Sequence, residues 1–163
     1  SGSYYEGYFE NGFKHGKGTM KFASGNYYEG FYKFDKKSGY GEMHWLDKNE
    51  VYKGFWEKDK QNGFGEHIWL EKSSKSKSLR NRYQGMFFEG MRHGYGIFFY
   101  SDGTRYEGEW NNNLKQGFAL FTDTNGEVTE AIFKEDRLLK QLNPPRQYDI
   151  IQFVQNDTQE DSS

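Results

Sequence analysis

A short phrase of aromatic residues and glycines recurs along the chain and restricts it to a repetitive fold. The phrase Tyr-x-Gly begins at five tyrosines: Tyr5, Tyr28, Tyr52, Tyr83 and Tyr106. The separations are 23, 24, 31 and 23 residues. We call each recurrence a unit and number its residues from this tyrosine, which is position 0. Position 4 is always a large aromatic residue, and positions 11 and 13 are glycines except for Ala119. The chain is therefore an array of equivalent modules.

Each unit has the pattern of a β-hairpin. Glycine costs about 1 kcal/mol at a helix position, and polar segments such as Glu-Asn-Gly and Asn-Asn-Asn fall in the middle of the units as turns. Strand alternation predicts that positions 0, 2 and 4 of the first strand share a face with positions 11, 13, 15 and 17 of the second. Glycine weakens a strand unless a large side chain covers it. We therefore interpret the glycines as slots for the aromatic rings.

One hairpin cannot bury its own rings, so the hairpins are expected to stack. The predicted fold class is all-β, an elongated, single-layer, twisted antiparallel sheet of about eleven or twelve strands with a short C-terminal extension. A degenerate sixth unit follows the fifth, with Thr129 in place of the tyrosine, Ala131 in place of the glycine and Phe133 as the aromatic residue.

Composition excludes several classes of protein. Aromatic residues make up 20% of the chain, so the predicted core is aromatic and thin. The net charge of -2 gives no general attraction to nucleic acid. There is no cysteine, hence no disulfide framework, and no apolar run is long enough for a transmembrane helix.

The pattern divides the chain into three parts. Residues 1–3, Ser-Gly-Ser, are interpreted as a cloning remnant, and the natural protein is expected to extend further. Residues 4–133 form the array of five repeats and the degenerate sixth. Residues 134–163 are predicted to hold a docking segment, which begins with one or two helical turns around Leu138, Leu139 and Leu142, and then a disordered acidic tail.

No catalytic constellation is apparent. The Gly-x-Gly pairs lie in predicted strands and do not open helices, so they are not phosphate-binding loops. No two histidines share a face at the spacing of metal ligands with a supporting carboxylate. The sequence therefore predicts no enzyme activity, no catalytic residue, no cofactor and no metal.

The second face of the predicted sheet also carries apolar side chains. Positions 3 and 12 point there, and a single layer offers no further sequence to cover them, which favours partner binding. The alternative is that sheet twist and the stems of flanking lysines and glutamates shield them. The candidate partner-binding residues are Phe31, Tyr40, Phe55, Phe64, Met86, Tyr95, Phe99 and Phe118.

The third unit is longer than the others because of an insert at residues 71–82. This insert carries five basic residues: Lys72, Lys75, Lys77, Arg80 and Arg82. One interpretation is a contact for an acidic protein surface or an anionic lipid, and the other is a solvated, flexible loop.

The pattern Tyr-Glu-Gly-x-(Phe/Trp), followed by Asn-Gly-x-x-His-Gly-x-Gly, resembles the MORN repeat (membrane occupation and recognition nexus). Within that family, residues 46–69, the insert and the segment around His93 are similar to the arrays of radial spoke head proteins of flagellar axonemes. The resemblance implies a non-catalytic scaffold in the cytoplasm, in the cytoskeleton of a cilium or flagellum. The implied partners are other axonemal proteins or a peptide segment, with a homodimer and a less favoured membrane lipid as alternatives.

Overall fold

The computed structural model of the protein describes residues 2–70 and 80–142. The predicted docking segment beyond Leu142 and the acidic tail lie outside the described residues. The described chain forms twelve strands: β1 (Tyr4–Glu10), β2 (Phe13–Lys21), β3 (Tyr27–Lys33), β4 (Lys36–Trp45), β5 (Glu50–Glu57), β6 (Lys60–Trp69), β7 (Arg82–Phe88), β8 (Met91–Phe99), β9 (Arg105–Asn111), β10 (Leu114–Thr122), β11 (Val128–Lys134) and β12 (Arg137–Leu142).

All twelve strands belong to one open sheet, and their order in the sheet is their order in the chain. Every neighbouring pair whose register the structure gives is antiparallel, for example β4 with β5 and β5 with β6. The predicted all-β fold of stacked hairpins is therefore confirmed.

Each hairpin turns through two residues in the left-handed region of the backbone. In the β3–β4 hairpin these are Phe34 (φ 48°) and Asp35 (φ 65°), and in the first hairpin they are Asn11 (φ 49°) and Gly12 (φ 80°). Two successive positive φ angles are what a type I′ turn requires, and this turn matches the twist of the strands that it joins.

The tyrosines at position 0 form the centre of the core. Tyr28, Tyr52, Tyr83 and Tyr106 have no exposed surface, and an aromatic residue at position 4 packs edge to face against each of them, as Trp56 does on Tyr52 with ring centroids 5.0 Å apart. We call this side of the sheet the core face. Its rings provide the apolar burial that the sparse aliphatic residues do not.

In the first four units the tyrosine at position 0 lies over the glycines at positions 2 and 13, whereas Ala119 stands at position 13 of the fifth unit. A Cβ added to Gly41 would lie 2.1 Å from the hydroxyl oxygen of Tyr28, and one added to Gly30 would lie 2.6 Å from it. The Tyr28 hydroxyl donates a hydrogen bond of 2.9 Å to the carbonyl of Phe31. These glycines are slots for rings, as the sequence indicates.

The glycines at position 11 have a different role, and the prediction that they face the core is wrong. They have positive φ, as at Gly39 (77°) and Gly63 (91°), and an added Cβ would lie beside the side chain at position 3 on the opposite face. The pairing of each of the first five hairpins shifts at this point, between Gly54 and Trp56 in the third. This β-bulge restarts the alternation of side chains, so a count that assumes regular alternation misplaces the glycine.

The expectation of helical turns around Leu138 is also wrong. Residues Arg137–Leu142 form β12, which pairs with β11 and completes the sixth hairpin. Asp136 in its turn accepts a hydrogen bond of 2.7 Å from the backbone amide of Lys115. Three units earlier, Asp59 accepts the equivalent bond from the backbone amide of Lys37. The sixth unit thus uses the same long-range bond to join its neighbour.

Cationic side chains at position 9 lie over the core rings. The Lys37 Nζ atom is 5.0 Å from the centroid of Trp56, and the Arg92 Cζ atom is 4.5 Å from that of Trp110. Burial lowers the pKa of both Lys37 and Arg92. These side chains close the core face with their stems and contribute cation–π attraction.

Candidate interaction surface

A row of large apolar side chains crosses the second face of the sheet. We call this row the aromatic strip. The strip consists of seven residues, whose exposed fractions lie between 41% and 54%. They are Phe31, Tyr40, Phe55, Phe64, Met86, Tyr95 and Phe118. The residues of the core cluster at positions 0 and 4 are at most 6% exposed. The aromatic residues of the core face are therefore buried, whereas those of the strip are about half exposed.

The register between neighbouring hairpins brings the strip together. Position 12 of one unit stands opposite position 3 of the next, so Tyr40 pairs with Phe55 and Phe64 pairs with Met86. The rings of Tyr40 and Phe55 meet edge to face with centroids 5.9 Å apart. Since adjacent strands are about 4.8 Å apart, the apolar row is continuous from β3 to β8.

The strip changes character at its far end. Tyr95 stands opposite Glu109, and Phe118 stands opposite Ile132. The Tyr95 hydroxyl donates a hydrogen bond to the carboxylate of Glu107, and this bond raises the Tyr95 pKa to about 12. Phe118 is therefore separated from the six central residues by an acidic side chain.

Phe99 lies on the same face but outside the strip. It is half-buried, and the guanidinium of Arg82 lies 4.3 Å from its ring centroid. Arg82 also forms an ion pair with Glu66, with 3.2 Å between Nη1 and Oε1. Phe99 and Arg82 thus belong to a separate row, four residues from the strip along β8 and β7.

Only part of the predicted basic insert can be placed. Lys72, Lys75 and Lys77 lie outside the described residues. Arg80 and Arg82 line one wall of an open groove of about 470 Å³, which Glu66, Ile68 and Phe99 also line. Arg82 begins β7, so it is part of the sheet.

Charged residues border the strip on both sides, and the sequence indicates them only in general terms, as flanking lysines and glutamates. On one side, at positions 1 and 14, stand Glu29, Glu42 and Glu66, with Lys53 between them. On the other side, near the turns, the three lysines Lys33, Lys36 and Lys58 line a pocket of about 340 Å³ together with one acidic residue, Glu57. We call these the acidic margin and the basic margin. These charged residues stand at positions 1, 5, 6, 8 and 14 and are visible in the sequence. Only the register shows which of them stand opposite each other.

None of the described residues forms a helix that is long and apolar enough to cross a membrane.

Three histidines contact carboxylates, and each contacts a single one. His67, for example, lies 2.9 Å from Glu50 between the Nε2 and Oε2 atoms. Burial lowers the His67 pKa, although Glu50 opposes this effect. Within the described part of the chain, His, Asp and Glu do not gather in groups of three that could hold a metal ion.

Comparison with known families agrees with the geometry of the hairpins. The family model described as the MORN repeat matches five segments of the chain: 5–27, 28–50, 52–69, 83–105 and 106–128. No curated protein shows a significant match to the chain. The matched segments begin at the core tyrosines and cover most of the sheet. The chain belongs to the MORN-repeat family.

Proposed function

We propose that this chain is a non-catalytic scaffold that binds a partner protein through the aromatic strip. The observation that carries the proposal is the exposure of the strip, where Phe55 and Tyr95 are 48% and 54% exposed although each lies in the middle of a strand. Contiguous exposed apolar residues with a charged border are typical of protein interfaces. A few such aromatic residues usually contribute most of the affinity.

The cellular setting is proposed from resemblance. Repeat arrays of this family are interaction or membrane-binding modules, and residues 46–69, the insert and the segment around His93 resemble the array of radial spoke head protein 10. We therefore propose the cytoskeleton of motile cilia or flagella as the setting of the scaffold, with radial spoke proteins as partners. The competing function, recognition of anionic phospholipid, is motivated by the five basic residues of the insert, whereas the net charge of -2 disfavours it.

The test is capture of radial spoke proteins from ciliary extract with the intact chain as bait. The double substitution Phe55→Ser/Tyr95→Ser should reduce capture at least tenfold, equivalent to about 1.4 kcal/mol, while the melting temperature stays close to that of the parent. The matched control is Leu46→Ser/Leu139→Ser, because these leucines are 56% and 60% exposed but lie away from the strip.

Equal capture by the parent and the double variant would falsify the proposed role of the strip. Pelleting of the parent with anionic vesicles at physiological salt, lost when the lysines of the insert are neutralised, would instead support the lipid function. Recovery of no axonemal protein would remove the ciliary setting.

A further inference from the structure

The second hairpin places like charges opposite each other on both sides of the strip. Glu29 stands opposite Glu42, and Lys33 stands opposite Lys36. Directly opposed like charges destabilise an antiparallel pair. The fold itself therefore gains nothing from either pair.

The third hairpin is the internal control. At the same positions Lys53 stands opposite Glu66, and Glu57 stands opposite Lys60. Both of these pairs are of opposite charge and favour the hairpin. The same hairpin backbone can thus carry oppositely charged pairs at these positions. The second hairpin instead has two acidic residues on one side of the strip and two basic residues on the other.

The two margins are only partly neutralised within the described residues. The Glu42 Oε2 atom lies 3.4 Å from the Nζ atom of Lys53 and 3.5 Å from the Nε2 atom of His44. Glu29, Lys33 and Lys36 are exposed, and the ion pairs of the described chain include none of the three. Their charges remain available to a partner.

The spacing of the margins fits a helix. Glu29 and Lys33 each lie two residues from Phe31 along β3, so at about 3.4 Å per residue the margins are roughly 14 Å apart. A helix with its side chains is about 10–12 Å in diameter, so it would fill the strip and reach both margins. An extended segment directs its side chains alternately up and down and would not reach sideways to both.

The length of the strip sets the length of the occupant. From Phe31 on β3 to Tyr95 on β8 there are five strand steps, or roughly 24 Å at about 4.8 Å each. At 1.5 Å per residue, this distance corresponds to about 16 helical residues.

We propose that the aromatic strip receives an amphipathic helix of a partner protein, with an apolar stripe bordered by basic residues on one side and acidic residues on the other. This inference rests on the proposed function, since it names the chemistry of the strip's partner. The basic border of the helix lies along Glu29 and Glu42, and its acidic border lies along Lys33, Lys36 and Lys58. The match of charges favours this partner over a helix with one sign of charge on both borders.

The experiment uses three designed 16-residue helical peptides with the same apolar stripe. One has a lysine border and a glutamate border, the second has lysine on both borders, and the third has glutamate on both. Fluorescence anisotropy with the full chain should show the split peptide binding at least tenfold more tightly than either of the others at low salt. High salt should reduce this preference, because exposed charges are screened.

Charge reversal identifies the margin. Lys33→Glu/Lys36→Glu makes both borders of the strip acidic, so it should move the preference to the peptide with lysine on both borders. The control Lys48→Glu/Lys134→Glu has the same change in charge at exposed lysines that do not border the β3–β8 part of the strip, and it should leave the ranking unchanged.

Equal binding of all three peptides would overturn the inference and leave the proposed function intact. Binding of none would overturn the helix as occupant, while the capture experiment with Phe55→Ser/Tyr95→Ser would still decide the proposed function separately. A dimer of the chain that dissociates in Phe55→Ser/Tyr95→Ser would make a second copy the occupant and would also overturn the inference.

Discussion

Neighbouring residues of one strand lie in opposite environments on the two faces of this sheet. Phe55 is 48% exposed and the adjacent Trp56 is 6% exposed, and Phe31 and Tyr32 differ in the same way, at 47% and 5%. The strands and their pairing are common to both faces. What differs is the number of side chains packed above each face. On the core face, tyrosines lie over glycines and further rings pack against the tyrosines, whereas among the described residues no layer packs on the strip.

This difference separates stability from recognition within each strand. The core face supplies the burial that holds the single layer together, so its sequence is restricted to rings of the right size and to glycine beneath them. The strip face makes fewer demands on folding, so its residues can be selected for a partner. Substitutions on the two faces should therefore have distinct effects, which the following variants measure.

The largest effect is expected from Gly41→Val in the ring slot. An added Cβ would lie 2.1 Å from the Tyr28 hydroxyl oxygen and 2.4 Å from the ring carbon that bears it, so the ring must move and its bond to the Phe31 carbonyl breaks. We expect a loss of about 3 kcal/mol or more, measured by urea unfolding. A loss below about 1 kcal/mol would show that the slot is not close-packed.

The second effect is the loss of stability at alkaline pH. Burial raises the pKa of Tyr28, Tyr52 and Tyr83, and it raises that of Tyr106 to about 12. Because the folded state holds these protons more tightly than the unfolded state, their stabilisation is complete below about pH 10. It is lost as the pH rises through the folded pKa values.

Thermal unfolding measured from pH 8 to pH 12 checks the alkaline prediction. The melting temperature should fall above about pH 10, and Tyr106→Phe should reduce the steepness of that fall because one titrating group is removed. An identical slope for Tyr106→Phe and the parent would contradict the role of the buried phenol.

A smaller effect is expected at the bulge glycine of the same hairpin. Gly39 has a φ of 77°, but the nearest atom to an added Cβ is the Cβ of Phe31 at 3.6 Å. Gly39→Ala therefore displaces no ring and costs only the backbone strain, about 1 to 2 kcal/mol. Gly39→Asn should cost less than Gly39→Ala, since asparagine tolerates left-handed backbone. The reverse order would indicate that space, and not φ, limits this position.

The contrast between Gly41 and Gly39 also explains how far the sequence could predict the fold. The spacing of Tyr28, Gly30 and Tyr32 follows regular alternation, so the hairpins, their stacking and the tyrosine core were predictable. Gly39 lies at a bulge, where the alternation restarts, and a count along one strand does not reveal this shift.

The sixth hairpin was missed for a related reason. Leu138, Leu139 and Leu142 followed by two prolines are typical of a short helix that ends, and local pattern favours that interpretation. The deciding signal is Asp136, which stands in the same turn position as Asp35 and Asp59 and bonds to the preceding unit. This is a long-range contact, so the sequence reveals it only when the units are aligned on their turns.

The candidate site was predictable only in part. Phe31, Tyr40, Phe55 and Phe64 stand on the strip as strand alternation predicts, whereas Phe99 lies in another row beside Arg82. The charged margins depend on which residues stand opposite each other across hairpins. That register is set by the turns and bulges together, so neither strand alone specifies it.

The smallest effect on stability is expected on the strip itself. Phe64 is 51% exposed and stands opposite Met86, so Phe64→Ser removes only the contacts that its ring makes with the strip. The substituted serine stays solvated, and no core tyrosine loses its slot or its hydrogen bond. We expect a cost below about 1 kcal/mol, less than the 1.5–3 kcal/mol associated with full burial of such a side chain, and an unchanged near-ultraviolet spectrum of the core rings. A cost of about 3 kcal/mol, close to that of Gly41→Val, would mean that the strip is a second core of the sheet. Its exposed rings would then be structural, and the reasoning that assigns them to a partner would fail together with the separation of the two faces.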